Sequence, residues 1–309
     1  GYKIKPSFDL KNEDIKKALK LVPPILIGTS AYQINMLFNA TLSANFKNAV
    51  AIITTVQNLV LYAVLAFIYS VTAVMFPRFT MLAAANDMDG FRQSFFNTIK
   101  SIVYFLIPSA AGLIAVRFQL VDFLYGWGRV TADNVSIAGD ILAFYAVGVI
   151  GIGIKEVSDR AFFSLKDTKR PAIGGVVVMA VNVAASLLLI SYIGVLGIPL
   201  AYSISALFGA ALLIFMINKK IGYIKEMNLL PNTFKVIAAS VIMLVALTPL
   251  TAFLNSAVPG QAVLHKGIRL FIPITAGVAV FFVMTYIMKV DETVKAAQKI
   301  VDIIKRNKE

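Results

Sequence analysis

The chain has 309 residues, 59% of them hydrophobic and 15% charged, with 29 Lys and Arg against 16 Asp and Glu. A water-soluble domain carries about a quarter charged residues, so this composition belongs in a bilayer. The net charge of +13 does not point to nucleic acid, because the basic residues sit in short clusters between apolar runs rather than along a continuous face interleaved with aromatics. With no cysteine and a single histidine, His265, no disulfide and no metal centre is expected, and no cofactor is called for.

The first residues, GYKIKPSFDLKNEDIKK, are polar and mixed in sign, so they are not a signal peptide. The chain also starts without Met, and upstream sequence is expected. Stretches free of Asp, Glu, Lys and Arg, read as helices able to cross about 30 Å of hydrocarbon, lie at 21–46, 48–77, 101–116, 141–154, 172–192, 198–218, 236–254 and 270–288. The third and fourth are short and need flanking turns to cross. Residues 171–218 carry no charge at all, too long a run for one helix, and SYIGVLGIP (191–199) supplies the turn that divides it. The expected fold class is therefore all-α, a polytopic transmembrane helix bundle of eight spans.

The basic residues test that reading. Six fall in 1–20, three in 77–100, five in 155–170, four in 219–235 and six in 289–309, which makes 24 on one side against five on the other (Lys47, Arg117, Arg129, Lys266, Arg269). This bias is what the positive-inside rule gives for eight spans with both termini cytoplasmic. Three polar-flanked stretches read as helices resting on lipid at that surface. NEDIKKALKLV aligns Ile15, Ala18, Leu19 and Val22; GFRQSFFNTIK repeats Phe91, Phe95 and Ile99; VKAAQKIVDII stripes Val294, Ala297, Val301 and Ile304.

No charge falls in the middle of any span, so the polar groups there are amides and hydroxyls. Gln33, Asn35 and Asn39 lie in the first, Gln57 and Asn58 with Thr54 and Thr55 in the second, Asn182 and Ser186 in the fifth, and Tyr202, Ser203 and Ser205 in the sixth. Asn35 with Asn39, and Asn182 with Ser186, are i,i+4 neighbours sharing a face. Hydrocarbon offers such groups no partner; they either bond between helices or line a wet cavity. Pro23-Pro24, Pro108, Gly148, Gly151, Gly153, Gly174 and Gly175 permit kinks or close helix approach in the same spans. Lys155, Glu156, Asp159 and Arg160 stand at spacings that let them pair among themselves. No nucleophile elbow, phosphate loop or metal-ligand spacing occurs, so an enzyme is not expected.

Four segments carry a resemblance. DRAFFSLKDTKRP (159–171), MFPRFTMLAA (75–84), FLYGWGRVTADN (123–134) and VNVAASLLLI…GVLGIPLAYSISA follow, in order and spacing, motifs of the MurJ-type lipid II flippases. That family belongs to the multidrug/oligosaccharidyl-lipid/polysaccharide exporter superfamily. The resemblance implies two six-helix lobes around a cavity, with two further helices at the C-terminus. On that pattern residues 1–20 form a cytoplasmic or interfacial helix, 21–218 the C-terminal six-helix lobe, 219–288 the two additional helices and 289–309 an amphipathic tail. The N-terminal lobe, which in the family supplies several cavity arginines, would lie outside this chain, and the last two helices would line a groove for a polyprenyl tail.

The pattern is also broken in places. Asn39 and Ser186 stand where relatives carry acids, and Gln57 and Asn58 where a cavity arginine is often found. A cation site built from those acids would lose most of its charge, so sodium coupling through this lobe is not expected.

The resemblance implies a lipid-linked oligosaccharide flippase of the bacterial cytoplasmic (inner) membrane, exporting lipid II by alternating access. Its partners are a polyprenyl-pyrophosphate-linked saccharide, membrane lipid and the missing lobe. A flippase for another polyprenyl-linked sugar and a non-transporting membrane scaffold are the rivals. Candidate cavity residues are Gln33, Asn35, Asn39, Gln57, Asn58, Asn182, Ser186 and Tyr202. Candidate cytoplasmic gate residues are Asp159, Arg160, Lys166 and Asp167. Thr168 or Asp167 is expected to cap the helix that Pro171 begins.

Overall fold

A computed structural model describes residues 13–46, 49–128, 130–222 and 229–306, and every regular element among them is helical. In chain order these are α1 (Glu13–Ser43), α2 (Ala49–Ala84), α3 (Met88–Ala115), α4 (Arg117–Tyr125), α5 (Ala132–Ser164), α6 (Lys169–Ile193), α7 (Gly197–Ile221), α8 (Leu229–Ala257), α9 (Val263–Ile287) and α10 (Asp291–Arg306). Lys47, Arg129 and residues 1–12 of the expected N-terminal helix lie outside the described residues, as do the side chains of Ala18, Val301 and Ile304.

Seven segments are long and apolar enough to cross a membrane. One of them, Lys169–Ile221, contains two helices joined by the 3₁₀ turn Gly194–Leu196, with Gly194 at φ +60°. α6 and α7 fold back on each other along their length: Gly174 abuts Leu213, Gly209 abuts Val178 and Gly197 abuts Leu189. That descending register is a helical hairpin, and its turn falls inside SYIGVLGIP. The segment counts as one because the 3₁₀ turn leaves no gap in helical structure.

The helices exceed the charge-free windows at several ends. α5 continues to Ser164, so Lys155, Glu156, Asp159 and Arg160 belong to a helix and not to a linker. The short α4 was not expected; it carries Arg117 and Asp122 and has only nine residues.

α2, α3, α5 and α7 share one core, in which Ile68, Phe91, Leu106, Ile141, Phe162 and Leu213 are fully buried. The Phe91–Phe95–Ile99 stripe therefore packs on protein, not lipid. Phe79 of α2 lies 5.5 Å from Phe91 and 6.4 Å from Phe95, ring centre to ring centre. A four-residue aromatic repeat describes a helix face but not what covers it.

Glycine sets the closest seam. A Cβ at Gly148 would lie 2.9 Å from the Cα of Ser203, and one at Gly151 2.4 Å from the carbonyl carbon of Ala206. α5 and α7 thus meet backbone to backbone, in parallel register. Across the same seam Ser203 donates its hydroxyl to the carbonyl of Phe144.

α8 and α9 form an antiparallel pair, with Gly277 beside Leu247 and Lys235 donating to the carbonyl of Lys289 at 3.4 Å. Their own core (Val236, Ala239, Met243, Leu247, Phe281) packs against Tyr104, Ile107 and Ala111 of α3.

The polar ends sort into two groups. At one end Arg92 donates to the carbonyl of Ile221 (2.6 Å), Lys220 pairs with Asp167 (2.6 Å) and Lys100 with Asp291 (2.7 Å). At the other, Arg117 meets Asp140 (3.5 Å), Gln119 meets Asn255 (3.5 Å) and Lys266 meets Asp122 (2.8 Å). Each group joins segments that the charge bias assigns to a single side.

Candidate substrate cavity

Between α1, α2, α5, α6 and α7 lies a cavity of about 420 Å³. Its wall combines three tyrosines from three helices, Tyr32 (α1), Tyr69 (α2) and Tyr202 (α7), with the amides Gln33 and Asn35 and four charged residues of α5. Those charges pair along their own helix: Lys155 with Asp159 at 2.6 Å, and Arg160 with Glu156 at 2.7 and 3.0 Å. Both are i,i+4 pairs. Asp159 is only 7% exposed, and its Oδ1 has no partner. Tyr145 stands behind Tyr202 with ring centres 5.3 Å apart in an edge-on arrangement.

The expected cavity residues divide. Gln33, Asn35 and Tyr202 line the cavity; Asn39, Gln57, Asn58, Asn182 and Ser186 do not. Asn39 and Asn182 are buried with neither side-chain polar atom bonded, and Ser186 Oγ, Asn35 Oδ1 and Gln57 Nε2 are likewise without partners. The α1–α6 contact explains where the four seam residues go. Gly28 packs on the Cα of Ala172 at the distance a Cβ would make 3.4 Å, and Pro24 lies with Lys169 and Ala172 around a neighbouring hollow. Running in that direction at 1.5 Å per residue, Asn35 and Asn39 come level with Asn182 and Ser186. The seam beyond the cavity is therefore polar and neutral. Its donor set has no carboxylate, and no group of three or more His, Cys, Asp or Glu gathers among the described residues.

Of the gate candidates, Asp159 and Arg160 line the cavity itself, while Asp167 and Lys166 lie in the turn after α5. Lys166 is exposed and takes φ +56°, closing α5 with bonds from Lys166 N to Phe163 O and from Asp167 N to Phe162 O. Asp167, not Thr168, caps α6: its Oδ1 accepts from Arg170 N at 3.3 Å, whereas Thr168 makes no capping bond. Asp167 also binds the side chains of Arg170 and Lys220. Burial raises the Asp167 carboxyl, but hydrogen bonds from Lys220 and from the Arg170 backbone outweigh it and leave the group below its usual range.

Sequence reasoning missed three residues of weight. Tyr69 shares a face of α2 with Leu65, which also lines the cavity, and that spacing was readable. Tyr32 sits next to Gln33 and went unnoticed beside the amides. Lys266, counted as a loop residue, is 2% exposed on α9. Its Nζ reaches Asp122 Oδ1 (2.8 Å) and the carbonyl of Gly126 (2.6 Å) and lies 4.2 Å from the centre of the Trp127 ring. Asp122, Trp127 and Lys266 border a second hollow of about 550 Å³ at the far end of the bundle from the tyrosine cavity.

Helices of membrane-crossing length around a cavity that carries polar and charged groups define a polytopic helical bundle of membrane-protein type. A multidrug resistance MATE family transporter of the MOP superfamily, in an outward-facing conformation, superposes with TM-score 0.59 at 14% identity, covering 95% of this chain and 70% of that one. The structure of lipid II flippase MurJ in an inward closed conformation superposes with TM-score 0.69 at 22% identity, covering 92% of this chain and 56% of that one. The chain belongs to the MurJ family, described as lipid II flippase MurJ, whose model matches residues 1–286.

Similar proteins include the probable lipid II flippase MurJ of Vibrio cholerae, 24% identical over 69% of this chain and 41% of the relative. That of Rickettsia prowazekii is 20% identical over 92% of this chain and 56% of the relative. The lipid II flippase MurJ of Thermosipho africanus is 28% identical over 48% of this chain and 32% of the relative. The chain thus spans about half the length, or less, of the curated relatives it matches.

Proposed function

We propose that this chain is the C-terminal part of a flippase that carries lipid II across the bacterial inner membrane by alternating access, without chemistry on the substrate. The observation that carries the reading is the cavity of about 420 Å³, set with amide, phenol and paired charged groups, in a chain of a family described as lipid II flippases. Eight crossings with both termini cytoplasmic are supported by the 3₁₀ turn that divides Lys169–Ile221 and by the excess of basic residues on one side. The end that holds Lys100, Arg92, Asp167 and Lys220 is then cytoplasmic.

Alternating access needs a cavity that meets one face at a time. The lobe formed by α1–α7 would rock against a first lobe, and the headgroup would cross along the cavity and the neutral Asn35–Asn39–Asn182–Ser186 seam while the tail stays in lipid. Asp159 and Arg160 would form the charged inner rim, and Asp167 with Lys220 would hold the turn below it.

The full-length protein should restore growth to cells depleted of an essential lipid II flippase. Death despite stable membrane insertion would sink the lipid II assignment. Arg160→Ala, which strips Glu156 of its partner inside the cavity, should impair that rescue at unchanged protein level.

A further inference from the structure

We infer that the cavity wall contributed by this chain recognises the saccharide of a lipid-linked substrate and leaves the pyrophosphate to cations outside that wall. This rests on the reading of the cavity as a headgroup site.

The charge of the wall comes first. The two cations lining the cavity, Lys155 and Arg160, each hold a carboxylate of the same helix, so the lining is neutral overall. A pyrophosphate is recognised by cations free to fork around its oxygens. Drawing Arg160 to a phosphate would strand Glu156, and drawing Lys155 away would strand Asp159, which is already short of one partner. Nothing else lining this cavity is basic.

What the wall offers instead is stacking area and neutral hydrogen bonding. Tyr32 and Tyr69 face the cavity 42% and 48% exposed, while Tyr202 is buried and braced by Tyr145. Tyrosine gives a large rigid surface with a polar tip at low entropic cost. An aromatic face suits the C–H side of a pyranose ring, and phenol hydroxyls both donate and accept, as sugar hydroxyls and acetamido groups do. Gln33 and Asn35 line the same space with the same dual character, and Thr29, whose hydroxyl donates to Ile25 and Leu26, adds an acceptor. Asp159, in the same lining, keeps a buried Oδ1 that no protein donor meets.

The test compares two ligands on the full-length protein: polyprenyl pyrophosphate bearing the disaccharide, and the same lipid without sugar, with affinities read by native mass spectrometry. Tyr32→Leu and Tyr69→Leu should each weaken the sugar-bearing lipid about fivefold, the size of one aromatic contact, and leave the sugar-free lipid unchanged. Tyr69→Phe should keep most of the affinity. Equal losses for both ligands, or no loss for either, would overturn the inference. So would Arg160→Gln abolishing sugar-free binding, since that would place the pyrophosphate on this wall. If the unaltered protein binds both lipids equally, the saccharide assignment fails while the lipid-carrier reading stands. If it binds neither, the headgroup site itself is wrong.

Discussion

Two charged sites of this molecule are built in opposite ways. At the cavity, Lys155–Asp159 and Glu156–Arg160 pair within a single helix, four residues apart. At the far end, Lys266 of α9 reaches Asp122 of α4, 144 positions away in sequence, and adds the Gly126 carbonyl and the Trp127 ring. The first arrangement makes a surface whose neutrality depends on no other element, so the helix can meet a new neighbour without losing its partners. The second fastens one part of the fold to another and has no independent existence. Local pairs suit a wall that must change company; distant ones suit a joint that must not.

The sharpest way to break that contrast is at the joint. Lys266→Met keeps the length of the side chain but leaves the Gly126 carbonyl bare and Asp122 with only the more distant Arg269; removing the partner of a buried polar group costs about 2 kcal/mol. Thermal unfolding in detergent should show it, and a midpoint unchanged from the parent would mean that the α4–α9 contact holds nothing.

Asp167 comes next because it has both kinds of partner, Arg170 three residues on and Lys220 on α7. Its folded carboxyl lies below the ordinary 3.8, so its contribution is complete above that value and is lost as pH falls through the lower folded one. Unfolding followed from about pH 5 to about pH 2 should show this loss, and Asp167→Asn should flatten it.

The smallest effect belongs to the wall. Glu156→Gln should cost only about 0.5 kcal/mol, as for other exposed-to-intermediate i,i+4 pairs. A cost as large as that of Lys266→Met would erase the distinction between the two sites.

Much of the fold was readable from charge and hydropathy. The apolar segments, the SYIGVLGIP turn and the family itself, from four motifs in register, all correspond to what the structure and the family match show. Two of the errors share one cause. A charge-free window treats every ionisable residue as the end of a span, and so it cut α5 short at Ile154, although the next charges neutralise one another within the helix. The same rule sent Lys266 to a loop, since no local pattern announces a carboxylate 144 residues away. The short α4, with Arg117 and Asp122 inside its nine residues, carried no span signal.

At the site, sequence chemistry singled out polar residues but not which of them would face one space. Asn39, Asn182 and Ser186 are buried in a helix seam and the tyrosines front the cavity, a division set by which face of each helix turns inward. Gln33, Asn35 and Tyr202 share one space with Asp159 and Arg160, because α5 runs uninterrupted past its charges.

The bare contact of Gly148 and Gly151 with α7 has a mechanical corollary. Side chains at an interface act as ball bearings: they switch rotamer and let helices slide or spread. At Gly148 and Gly151 α5 puts no side chain of its own between its main chain and α7, so that stretch of the chamber wall has little room to slide and acts as a stiff spine. The opposite jamb is built differently: there α1, with Pro23 and Pro24 inside it, leans on α6.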